Sequence, residues 1–212
     1  MDIGATMAIN FKKDNYYIIK EALSKEISNF VYNYFLIKRQ VAFTFRSEKY
    51  ISPLSEDWGT WEDDQVPNTY SHYADIAMET LLLFLHPIME KKTGLKLIPN
   101  YSYARIYKDG DILEKHIDRF SCEISTTLNL GGDTWPIFLK TLDKKEIKVS
   151  LEKGDMLVYR GNILEHWRER FAGKDCAQVF LHYNNAETKG SADNIYDTRP
   201  HIGLPLEFKK RP

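Results

Sequence analysis

Tyr101-Ser102-Tyr103-Ala104-Arg105-Ile106-Tyr107-Lys108-Asp109-Gly110-Asp111-Ile112-Leu113-Glu114-Lys115-His116-Ile117-Asp118 divides the chain into two kinds of sequence. Here the hydrophobic period becomes two: Tyr101, Tyr103, Arg105 and Tyr107 share one face of an extended segment, and Lys108 to Asp111 forms a turn. Ile112 to Ile117 reads as the next strand. Further strands follow at Cys122–Leu130 (closed by Gly131-Gly132-Asp133), Pro136–Lys140, Ile147–Leu151, Met156–Tyr159 and Ala177–Tyr183. Seven or eight short strands separated by close turns predict an antiparallel sandwich or jelly roll.

Upstream the period is helical. Ile18, Ile19, Ala22, Leu23, Ile27, Phe30, Val31, Tyr34 and Phe35 predict a helix over 17–38, and Tyr73, Ile76, Leu81, Phe84, Leu85, Ile88 and Met89 predict one over 71–92, ended by Gly94. Between them lie a strand candidate at Val41–Phe45 and an irregular, aromatic and acidic span carrying Trp58, Trp61 and Glu62-Asp63-Asp64, the composition of a lid or binding loop. Ala8-Ile9-Asn10-Phe11 reads as a short arm. The expected organisation is residues 1–98 as helical and loop support, 99–186 as the β core and 187–212 as a polar tail over the surface.

The whole chain narrows the functional classes. A 43% hydrophobic, 13% aromatic sequence of 212 residues can bury one sizeable core. With 29 basic against 30 acidic residues the net charge is −1, so no overall field draws it to nucleic acid or to an anionic membrane. Cys122 and Cys176 are too few and too far apart for a disulfide scaffold or zinc cluster. Without a leader-like or eighteen-residue apolar run, a cytoplasmic protein is expected.

His116 and Asp118 stand two apart, and His166 follows fifty residues after His116. Residues i and i+2 of a strand project to one side, so the first pair can grip one ion and a distant histidine can complete the face. Two imidazoles and one carboxylate with open positions opposite is the ligand set of non-haem Fe(II) oxygenases. His72 and His182 are expected in the core or at the surface.

The order H-x-D, about fifty residues, then H resembles the 2-oxoglutarate/Fe(II)-dependent dioxygenases, the prolyl 4-hydroxylase-like branch most. The likeness runs from Tyr101 to Asn184 and includes Tyr103–Asp111, Thr126-Thr127-Leu128-Asn129-Leu130 and Lys153–Gly161. It implies a double-stranded β-helix (jelly-roll, cupin-like) barrel, mainly β with supporting N-terminal helices. It also implies Fe(II) on His116, Asp118 and His166, with 2-oxoglutarate as cosubstrate, O2, and ascorbate as a reductant. Asp118, rather than a small residue, favours hydroxylation over halogenation.

The sequence departs from the family where a cation should hold the distal carboxylate of 2-oxoglutarate. Nine and ten residues after His166 stand Asp175 and Cys176, not Arg or Lys. Arg168 is the first candidate, on the face of His166; Arg170, Lys174 and Arg105 are the others. Tyr107 matches the family's tyrosine donor, and Thr127 lies on the face of Asn129. The implied reaction is hydroxylation of an unactivated C–H in a prolyl, other peptidyl or small-molecule substrate, releasing succinate and CO2. A nucleic-acid demethylase of the same superfamily is a second reading, opposed by the neutral charge. A non-catalytic cupin-like barrel that binds metal or ligand is a third, favoured by the displaced cation.

Overall fold

The computed structural model describes residues 9–52 and 54–210. Ala8, the first residue of the arm read from the sequence, lies outside the described residues. The strands are β1 (Tyr16–Ile19), β2 (Tyr70–Tyr73), β3 (Leu97–Lys108), β4 (Leu113–His116), β5 (Ile124–Gly132), β6 (Ile137–Lys140), β7 (Glu146–Val149), β8 (Met156–Tyr159), β9 (Glu165–Arg168) and β10 (Asp175–Asn185). Antiparallel pairing gives a six-stranded sheet, β1-β8-β5-β10-β3-β2, and a four-stranded sheet, β4-β9-β6-β7. The two sheets form the mainly β, double-stranded β-helix barrel expected.

The period of two in β3 decides which face sees what. Ala104 and Ile106 join Val179, Leu181, Leu128, Leu130 and Val158 on the outer face of the large sheet. There they meet the helices α2 (Lys25–Ser47) and α3 (Ile76–Thr93) through fully buried Phe35, Met78, Leu82 and Leu85. Each such side chain stabilises the fold by roughly 1.5–3 kcal/mol. The opposite face of β3 carries Tyr101, Tyr103, Arg105 and Tyr107 into the barrel, facing His182, Phe180, Gln178 and Cys176 across the β3–β10 ladder.

Several element boundaries differ from the sequence reading. Residues 16–19 are an edge strand on β8, preceded by the one-turn helix α1 (Phe11–Asp14) rather than an extended arm. The first long helix starts only after Ser24, whose hydroxyl caps the amide of Ile27. It then continues through Val41–Phe45, the predicted strand, because Ala42 is buried and Phe45 packs edge-on against Trp58. Packing has overridden a β-branched, aromatic local preference. Likewise Tyr70–Tyr73 pairs with β3, and the second helix begins at Ile76 with Asp75 capping Met78. Gly94 ends it in the left-handed conformation, as expected. Among the described residues no helix is long and apolar enough to cross a membrane.

The tail does more than cover the surface. Buried Arg199 pairs with buried Glu79 of α3 at 2.6 Å and donates to the Asn100 carbonyl. Buried Asp197 takes a bidentate ion pair from Arg119 and bonds from Tyr73 and Lys209. Both cysteines are buried and free.

Candidate metal centre

β4 and β9 are neighbours in the small sheet, and their register sets His116 opposite His166, with ring centroids 4.2 Å apart. β4 ends at His116, so Asp118 is not two residues along a continuing strand. Its position is fixed by its backbone N–H, which donates to the Gly161 carbonyl at 2.8 Å. Asp118 Oδ1 lies 3.8 Å from His116 Nε2 and 3.6 Å from His166 Nε2. The three ligand atoms are thus grouped tightly enough to share one ion.

The hydrogen bonds behind these atoms select the protonation states a divalent metal needs. His116 Nδ1 lies 2.7 Å from the Glu114 carbonyl and His166 Nδ1 lies 2.9 Å from that of Leu164. A carbonyl only accepts, so each Nδ1 carries a proton and Nε2 is the ring nitrogen each histidine turns toward the shared centre. Burial pushes His166 below its ordinary value, outweighing the opposite pull of Asp118. Ser125 Oγ donates to Asp118 Oδ2 at 2.7 Å, fixing the carboxylate. The same oxygen is 3.0 Å from His182 Nδ1; with the hydroxyl proton on Asp118, His182 supplies its own. His182, read as a core or surface histidine, is buried against the centre, and its burial lowers it to about 4. The donor set fits a divalent transition metal.

Over the centre lies a cavity of about 320 Å³ whose lining includes the triad, Tyr101, Tyr103, Tyr107, Tyr159 and Phe180. The thiol of Cys122 also faces it and meets Tyr101 OH at 2.9 Å; burial and Asp118 push it up to about 12. Arg119 stacks on Tyr101 at 4.8 Å, its charge balanced by Asp197. Trp167, on the other face of β9 from His166, stacks on Phe138 at 5.5 Å.

The two inward arginines differ in charge balance. Arg105 is 1% exposed and pairs with Asp63 at 2.8 Å, while its Nη1 approaches Tyr107 OH at 3.4 Å. Arg168 is equally buried, but no carboxylate pairs with it among the described residues. Its Nη2 donates to Thr127 Oγ1 at 3.1 Å, its Nη1 to the Trp135 carbonyl, and its Nε has no partner among those residues. Thr127 Oγ1 in turn donates to Gln178 Oε1 at 3.0 Å. A buried guanidinium held only by neutral groups is costly unless an anion joins it. Arg168 stands behind the cavity lining rather than in it, on the side of Tyr107, Trp135 and Cys176. Arg170, near Gly110, and Lys174 are both exposed, so neither takes the inward role considered for it.

Searches with the sequence match no family model and no curated protein. Solved structures do match. A prolyl-4-hydroxylase from Pseudomonas putida is 14% identical, covers 82% of this chain and 95% of its own, and has a TM-score of 0.58. HygX from Streptomyces hygroscopicus, solved with nickel and 2-oxoglutarate bound, is 13% identical over 84% of this chain and 85% of its own, with a TM-score of 0.56. The non-haem α-ketoglutarate-dependent epimerase SnoN from nogalamycin biosynthesis is 12% identical over 94% and 93%, with a TM-score of 0.63. The chain therefore has the fold of the 2-oxoglutarate/Fe(II)-dependent oxygenases, the fold its resemblance implied.

Proposed function

We propose that the protein is a 2-oxoglutarate- and Fe(II)-dependent dioxygenase that hydroxylates an unactivated C–H bond. The observation carrying this reading is the uncompensated charge of Arg168, buried in the same barrel as a triad of two imidazoles and a carboxylate. One site calls for a cation and the other for an anion, which is what a chelating dicarboxylate and its metal supply together.

His116, Asp118 and His166 would hold the metal, with Ser125 and the two carbonyls orienting them. Fe(II) with 2-oxoglutarate and O2 supplies the oxidising chemistry, with succinate and CO2 as coproducts. Arg168, held by Thr127, would take the distal carboxylate with Tyr107 donating beside it, while Arg105 keeps Asp63 as its counterion. Tyr101, Tyr103 and Phe180 give the cavity aromatic walls that exclude water. A 320 Å³ space suits a small molecule or one inserted side chain, such as a prolyl ring, beside the cosubstrate. The nucleic-acid reading gains nothing from Arg119, whose charge Asp197 already meets.

Anaerobic titration with Fe(II) and 2-oxoglutarate tests the proposal. The wild type is expected to develop the weak visible charge-transfer band of the chelate. His116→Ala should abolish it, and Arg168→Ala should need roughly tenfold or more 2-oxoglutarate, the loss of a charge-assisted contact. No band in the wild type at millimolar cosubstrate sinks the oxygenase reading.

A further inference from the structure

Gln65, in the irregular span before β2, sits at the rim of the metal centre. Its Nε2 lies 3.1 Å from His116 Nε2, and its Oε1 accepts from Arg105 Nη1 at 3.2 Å. An arginine only donates, so the amide orientation is determined: oxygen toward Arg105, N–H toward the imidazole. His116 Nδ1 holds the ring proton, so the group receiving that N–H is the Nε2 lone pair. This is the lone pair a metal would use.

Gln65 is also fastened. Asp63 Oδ1 accepts the backbone N–H groups of Gln65 and Val66 at 2.9 and 3.2 Å and pairs with Arg105 at 2.8 Å. Its other oxygen accepts from Tyr103 OH. On the far side Val66 is buried against Tyr107, Leu113 and Trp135. The ion pair and the buried valine hold this segment at the rim.

We propose that Gln65 is a positioning residue for the cosubstrate, an inference that rests on the oxygenase reading above. In the metal-free protein its N–H caps His116. When a metal takes the lone pair, the N–H turns to the metal-bound carboxylate end of 2-oxoglutarate, with Arg105 still holding the amide oxygen. Asp63 acts through Arg105 and the backbone to keep it in reach.

The proposal predicts effects of opposite sign on two binding steps. Gln65→Ala removes a competitor for His116, so Ni(II) alone should bind about fivefold tighter by calorimetric titration, the worth of one neutral hydrogen bond. The same variant loses a donor to a carboxylate, so 2-oxoglutarate should bind the Ni(II)-loaded protein about tenfold more weakly. Asp63→Asn should move both constants in the same directions by smaller factors. A merely structural role would weaken both steps together, and that outcome overturns the proposal, as does an unchanged metal affinity or an unchanged cosubstrate affinity in Gln65→Ala. Failure of the wild type to bind Ni(II) would instead overturn the oxygenase reading.

Discussion

Asp118 depends on a single hydroxyl: Ser125 Oγ donates to its Oδ2 while its Oδ1 faces both imidazoles. Removing that donor frees the carboxylate to rotate and leaves His182 Nδ1 without its partner. Ser125→Ala is therefore expected to weaken Ni(II) or Fe(II) binding about 10–100-fold, as loss of a ligand-orienting group does. Metal titration of the folded variant checks it. The triad itself was legible because residue type, order and separation need no tertiary knowledge. Ser125, Gln65 and His182 were not, since each acquires its role only through partners 7 to 57 residues away. Which of Arg168 and Arg105 lacks a carboxylate partner was equally hidden: it turns on Asp63, whose position depends on an irregular loop.

Among the elements, the connection from β8 to β9 places a glycine where no side chain fits. A Cβ on Gly161 would lie 2.1 Å from Asp118 Oδ2 and 2.7 Å from both Ser125 Oγ and the Cys122 carbonyl. The Gly161 carbonyl meanwhile holds the Asp118 amide, so this turn sets the carboxylate from two sides. Gly161→Ala should leave a folded protein, destabilised by about 1–3 kcal/mol through overpacking. Its metal affinity should fall at least about tenfold because the carboxylate must move. Circular dichroism melting with metal titration separates the two effects. The β-region strands were legible because their alternation records a sheet with one face on the helices and one on the cavity. Strands β1 and β2 were not: their apolar residues suit a helix as well, and only pairing with β8 and β3 makes them extended. Local spacing cannot encode a partner more than thirty or a hundred residues distant.

For the whole molecule, buried titratable groups tie distant segments together and give stability a definite pH dependence. Burial raises Asp75 and Asp197, yet their hydrogen-bonded and charged partners outweigh it and hold both well below the usual carboxylate range. For Asp75 these are His72, Lys38 and Tyr34, joining α2 to α3; for Asp197, Arg119 and Lys209, joining the tail to the segment after Asp118. A depressed carboxylate contributes its full stability above its unfolded value of about 3.9 and loses it as the pH falls toward the folded value. His182 acts over a higher window. Its folded value of about 4 lies below the unfolded value of roughly 6.5, so the unfolded chain takes the proton first. Stability is then lost between about pH 6.5 and 4, by about 3 kcal/mol in total. The urea midpoint of the metal-free protein should accordingly begin to fall near pH 6.5 and fall further below about 4. His182→Asn should shrink the first decline to the share that depressed His166 contributes, while sparing the second. Asp197→Asn should lower the plateau by about 1–2 kcal/mol, since Asp197 is buried but Arg119 is half exposed, and soften the second decline. Coincident declines in His182→Asn and the wild type would remove His182 as the source of the first.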